Sequence, residues 1–82
     1  MAFARYKEPQ FIKSLLKDQI ETVIEQANLG RENTEIAKLY LIDRVPQIDI
    51  AAELGCERST ISRRMPGIIV QLEKTVQKMN FT

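Results

Sequence analysis

Apolar residues recur every three or four positions along most of the chain, which is the spacing of one face of an α-helix. The first stripe begins after Pro9 and consists of Phe11, Ile12, Leu15, Leu16, Ile20, Val23, Ile24 and Ala27. It predicts a first helix over residues 9–28, because proline suits a first helical turn and Asn28-Leu29-Gly30 supplies a stop.

The same spacing predicts four further helices. A second helix is expected from Asn33 to Asp43, and Pro46 then forbids its continuation and starts a third over residues 46–54. A fourth helix should cover residues 57–65. Pro66-Gly67 predicts a break, after which a fifth helix covers residues 67–79. No segment alternates as a strand does, so the fold class is all-α: a small domain of about five helices over residues 9–82, preceded by a flexible basic arm at residues 1–8.

The composition narrows the range of functions. At 82 residues the chain holds one domain at most. It has no histidine, and its single cysteine excludes an internal disulfide and a thiolate zinc cluster. There is no glycine-rich phosphate loop and no nucleophile elbow. We therefore predict no enzyme activity, no metal and no cofactor.

No apolar run approaches the length of a membrane span. The sequence therefore predicts a cytoplasmic protein with no membrane partner, from a bacterial or phage setting.

Charge is unevenly distributed along the chain. The net charge is +3 over residues 1–17, −6 over residues 18–57 and +4 over residues 58–82. A basic final third would orient the molecule towards a polyanion, whereas the simpler interpretation is a solvated surface with scattered charges. Charge alone does not decide between them.

Residues 47–65 carry the pattern of two short helices joined by a tight turn. Ala51 is small enough for two helices to cross closely, and Gly55 accepts a positive φ in the turn. Core positions are expected on both sides of the turn, at Ile50, Leu54, Cys56, Ile61 and Met65. An ordinary helical hairpin would show the same features, so the discriminating feature is the remaining face of the fourth helix.

That face combines guanidinium and hydroxyl groups, which bind base edges and phosphates. We expect a helix-turn-helix that binds double-stranded DNA through Arg58, Ser59, Thr60, Ser62, Arg63 and Arg64. Arg58 and Arg63 should contact bases or phosphates nearest the groove floor, Arg64 a phosphate, and the hydroxyls the DNA backbone. Each arginine has a solvated helix position as its alternative, and Lys74 and Lys78 are expected to be solvated.

The motif resembles the C-terminal, region 4 helix-turn-helix of bacterial sigma factors. The matching residues are Ile50-Ala51-x-x-Leu54-Gly55-Cys56-x-x-Ser59-Thr60-Ile61-Ser62-x-Arg64-Met65, and the resemblance covers residues 32–75. The segment Ser59–Arg63 is also similar to the helix-turn-helix of transposases and resolvases. Two departures are Glu57, where the sigma family has a capping serine or threonine, and Pro66-Gly67, which interrupts a helix that is continuous in that family.

The resemblance implies a sequence-specific transcriptional regulator, encoded by a phage or mobile element, with RNA polymerase as a candidate second partner. The competing hypothesis is a small helical interaction factor that binds RNA polymerase or another regulator without reading DNA. Because a single small helix-turn-helix binds weakly, a homodimer is also expected, with its seam on helix 1 or helix 5.

Overall fold

The computed structural model of the chain describes residues 9–79. Over this range the chain forms four α-helices and no strand: α1 (Lys17–Ala27), α2 (Arg31–Ala37), α3 (Gln47–Leu54) and α4 (Arg58–Met79). A 3₁₀ turn at Gln10–Ile12 precedes α1, and a π-helical segment at Lys38–Ile42 continues α2. The all-helical prediction is confirmed, whereas the predicted basic arm at residues 1–8 lies outside the described residues.

The first helix is shorter than the apolar stripe predicts. Ser14 donates its Oγ hydrogen to the carbonyl of Phe11 at 3.3 Å, a local bond that competes with helical pairing. Leu16 is extended, and its N–H donates to Gln19 Oε1 at 2.9 Å, which caps the start of α1. Leu16, expected on the buried stripe, is consequently 70% exposed.

One apolar core joins all four helices, and α4 packs against each of the other three. Its buried residues are Ile12, Ile20, Val23, Ile24, Ala27, Ile36, Ala37, Tyr40, Leu41, Ile50, Ala51, Ile61, Met65, Ile68 and Leu72. The predicted stripes of all five helices therefore supply this core, that of helix 1 mainly through its second half. A hydrogen bond from Gln71 Nε2 to the carbonyl of Ala27, at 3.4 Å, also links α4 to the end of α1.

The predicted break at Pro66-Gly67 is wrong, because α4 runs through it without interruption. The five predicted helices are therefore four. Proline inside a helix costs about 3 kcal/mol, since it lacks an N–H and crowds the carbonyl four residues earlier. Beyond the proline, Ile68 and Leu72 are almost fully buried, and each contributes about 1.5–3 kcal/mol by leaving water. Packing thus outweighs the local preference.

The continuity of α4 predicts that two substitutions at the apparent break stabilise the protein. Pro66→Ala restores a backbone hydrogen bond and should raise the free energy of unfolding by about 1–3 kcal/mol. Gly67→Ala is a matched test, because Gly67 has no positive φ and an added Cβ would meet nothing within 4 Å. It should raise the same quantity by about 0.5–1 kcal/mol.

Urea unfolding followed by circular dichroism measures both effects. A loss of stability in both variants would show that residues 66–67 form a turn that requires proline and glycine.

Candidate nucleic-acid interface

The turn between α3 and α4 is closed by backbone hydrogen bonds around Gly55. Gly55 adopts the left-handed conformation, with φ 71° and ψ 33°. The N–H of Cys56 donates to the carbonyl of Ala51 at 2.9 Å, and the N–H of Gly55 donates to that of Ala52 at 3.4 Å. This pair of bonds is a Schellman motif, which ends a helix and sets the direction of the following chain.

The start of α4 packs against α3 through buried apolar side chains of both helices. Ile50 and Ala51 of α3 are buried in the same core as Ile61 and Met65 of α4, as their spacing predicts. Cys56, expected in a small apolar slot beside them, is instead exposed. The Schellman turn ends α3 before Cys56, so this residue lies outside the helical face that faces the core.

Glu57 provides the first backbone acceptor of α4. Its carbonyl accepts from the N–H groups of Thr60 at 3.0 Å and Ile61 at 3.4 Å. Its carboxylate is 3.5 Å from Ser59 Oγ, which donates to it. A carboxylate in this position also interacts favourably with the positive end of the helix dipole, so the helix begins without the serine or threonine cap of the sigma family.

Four of the six predicted DNA-binding residues lie together on one face of α4. Arg58, Ser59, Ser62 and Arg63 are all exposed, and they line a shallow concavity of about 370 Å³. They are one turn apart in pairs: Ser59 and Arg63 lie on the side of α4 away from the buried Ile61, and Arg58 and Ser62 lie between that side and the core. We call these four residues the α4 front face.

Both arginines of the α4 front face are without an ion pair among residues 9–79, whereas Arg64 has one. Two positive charges with unused donors therefore face solvent about one and a half helical turns apart. Guanidinium groups in this state can form bidentate hydrogen bonds with a phosphate or with the acceptor edge of guanine.

Thr60 and Arg64 lie on the side of α4 that faces α2. Arg64 Nη1 is 2.8 Å from Glu32 Oε1 and donates to Asn33 Oδ1 at 3.0 Å. Thr60 is partly buried, and both residues line a separate concavity of about 590 Å³ between α2 and α4. The structure thus divides the six predicted residues between two faces of one helix.

Gln47 contributes to the front face but was not selected from the sequence. It is the first residue of α3, and its Oε1 accepts a hydrogen bond from Ser62 Oγ at 3.1 Å. The two residues are fifteen positions apart, and neither belongs to an apolar stripe. Only the crossing geometry of α3 and α4 brings them together, so the sequence alone carried no signal for this pair.

Half of the ten lysine and arginine side chains in the described part of the chain lie on α4. This helix carries Arg58, Arg63, Arg64, Lys74 and Lys78 against the single acid Glu73. The outer positions of α3 are occupied by Asp49 and Glu53, both exposed. A polyanion would therefore be attracted to α4 and kept away from the body of α3.

Two further properties concern residues 9–79. No group of three or more histidine, cysteine, aspartate or glutamate side chains is arranged to hold a metal ion in this part of the chain. No helix within it combines the length and apolar character needed to cross a bilayer.

Comparison of the whole chain with protein-family models, with curated proteins and with solved structures gave no match.

Proposed function

We propose that this protein is a sequence-specific DNA-binding transcriptional regulator in which α3, the Gly55 turn and α4 act as a helix-turn-helix. The carrying observation is the α4 front face: two arginines without ion pairs and two serines, all exposed on the start of one helix. An α-helix fits the major groove of B-DNA, which is about 12 Å wide. The first two turns of α4 would enter that groove.

The chemistry of these four side chains suits both parts of DNA recognition. An arginine can bind guanine through O6 and N7, and each such bidentate contact discriminates by about 1–3 kcal/mol. A serine hydroxyl reaches phosphates or base edges at short range. The Schellman turn and the buried Ile50, Ala51, Ile61 and Met65 would hold the helix rigidly as it binds.

The resemblance to sigma region 4 supports the same proposal. The departure that Pro66-Gly67 suggested does not arise, because α4 is a single helix as in that family. RNA polymerase remains a candidate partner, and a phage or mobile-element origin remains the favoured setting.

Arg64 and Thr60 take a different part in this proposal from the α4 front face. Because Arg64 is already bonded to Glu32 and Asn33, contact with a phosphate would compete with those bonds. We propose that Arg64 mainly fixes the angle between α2 and α4, and that Thr60 packs beside it. Exposed pairs of this kind contribute about 0–1 kcal/mol, so their effect on DNA affinity should be modest.

A second candidate function, a protein-interaction factor, is favoured by three large apolar side chains that are exposed within residues 9–79. Leu16 is 70% exposed, Val70 49% and Ile48 46%. Exposed apolar side chains at an interface exclude water and add affinity for a protein partner. In this alternative, the protein would bind RNA polymerase or another regulator and would not itself read DNA.

The homodimer stays a prediction, but the structure narrows the choice of the surface through which two copies would make contact. One of its two candidate contact surfaces is the apolar stripe of the first helix. Its residues Ile20, Val23, Ile24 and Ala27 are buried within the chain itself. A dimer contact would therefore use exposed positions such as Val70 on the second half of α4, which leaves the α4 front face free for DNA.

Removal of both front-face arginines tests the DNA interface. The double variant Arg58→Ala/Arg63→Ala should lose roughly 2–6 kcal/mol of specific binding, because two contacts to bases are removed. Lys74→Ala/Lys78→Ala is the matched control, since it removes the same charge from the far half of α4. Fluorescence anisotropy with a labelled duplex at fixed salt measures the affinity of both variants. Equal losses of affinity in the two variants would show that net charge, and not the position of the arginines, determines binding.

Salt dependence separates DNA binding from protein interaction. Each phosphate that is neutralised releases condensed counterions, so the logarithm of the affinity should fall linearly with the logarithm of salt concentration. With two to four phosphate contacts, the affinity for duplex DNA should fall between about 10- and 150-fold from 50 to 200 mM salt. A packed protein interface should change little, and a flat salt response for the duplex would argue against the proposed function.

A further inference from the structure

We infer that the hydrogen bond from Ser62 to Gln47 makes Ser62 a specificity-determining residue that selects adenine or cytosine at one position of the bound strand. This inference rests on the proposed function and deepens it, because it assigns the base chemistry that one side chain reads. It depends on a single contact between α3 and α4, the 3.1 Å bond from Ser62 Oγ to Gln47 Oε1.

The hydrogen bond to Gln47 determines whether the Ser62 hydroxyl can still act as a donor or only as an acceptor. A serine hydroxyl has one hydrogen to donate and two lone pairs that accept. In this structure the hydrogen is already directed at the carbonyl oxygen of Gln47. Ser62 therefore presents only acceptor lone pairs to a molecule that approaches the exposed α4 front face.

The major groove offers donors only on certain bases. Adenine presents its N6 amino group and cytosine its N4 amino group, whereas guanine and thymine present acceptors at O6, N7 and O4. An acceptor-only hydroxyl can bind the first pair and not the second. A hydroxyl free to rotate would bind either, so the position of Gln47 converts an ambiguous side chain into a selective one.

Gln47 is suited to this role by its place in α3. It begins the helix directly after Pro46, whose φ of −62° and ψ of 154° set the chain direction there. It is partly buried, so its side chain has less freedom than that of a fully exposed glutamine.

Selection of bound sites from random duplexes at fixed salt tests the inference. The wild-type protein should prefer adenine or cytosine over guanine or thymine by about 3- to 10-fold at one position, as expected for one neutral hydrogen bond. Ser62→Ala and Gln47→Ala should both reduce that preference to less than about 2-fold, at the same position and no other.

Two further variants distinguish the hydrogen bond from other effects. Gln47→Glu keeps an acceptor for the Ser62 hydrogen, so the preference should remain while overall affinity falls because a negative charge is added near the phosphates. Gln77→Ala removes an exposed glutamine elsewhere on α4 and should leave both preference and affinity unchanged. Circular dichroism of each variant confirms that the fold is intact.

The outcomes separate the inference from the proposed function. If the wild-type protein selects a site but Gln47→Ala keeps the preference that Ser62→Ala loses, the role of the hydrogen bond is refuted and DNA binding stands. A change in Gln47→Ala at a position that Ser62→Ala leaves alone would show that Gln47 reads a base itself. If the wild-type protein selects no site at all, the proposed function fails together with the inference.

Discussion

The structure depends on one continuous apolar stripe along α4, from Ile61 through Met65 and Ile68 to Leu72. This stripe packs against α1, α2 and α3 at once, so it fixes both the position and the rotation of the helix. In a domain of this size the core is small, and four buried side chains on one helix are a large share of it. The same burial holds the helix together across Pro66, where local preference alone would end it.

Fixing one face of α4 in the core leaves the opposite face open to solvent. The α4 front face is exposed because Ser59 and Arg63 lie opposite this buried stripe, while Arg58 and Ser62 flank it. The Schellman turn at Gly55 brings α3 across the start of α4, which places Gln47 against Ser62. On the α2 side, Glu32 and Asn33 bind Arg64 and support the same helix from behind.

Residue spacing predicted the parts of this arrangement that depend on local structure. The end of α1, both ends of α3 and the buried Ile50, Ala51, Ile61 and Met65 follow from periodicity and from the behaviour of proline and glycine. Four of the six residues predicted to bind DNA do share one exposed face of α4. These features were accessible because each is decided within a few residues along the chain.

The remaining features depend on contacts between distant residues, which spacing does not reveal. Pro66 was expected to break the helix, but the burial of Ile68 and Leu72 outweighs its cost. The first helix starts late because Ser14 and Gln19 bond to the backbone before it. The engagement of Arg64 by α2 and of Ser62 by Gln47 spans 31 and 15 residues respectively. The spacing of residues along the sequence predicts neither of these two contacts.

The central proposal is that the α4 front face contacts duplex DNA while the core stays unchanged. Nuclear magnetic resonance of the labelled protein during titration with a selected duplex tests it most directly, by locating chemical-shift changes in backbone amides and arginine side chains. The account predicts the largest changes on the α4 front face and at Gln47, with small changes at the buried residues of α1. Largest changes on α1 or on the far half of α4, or none anywhere, would contradict it.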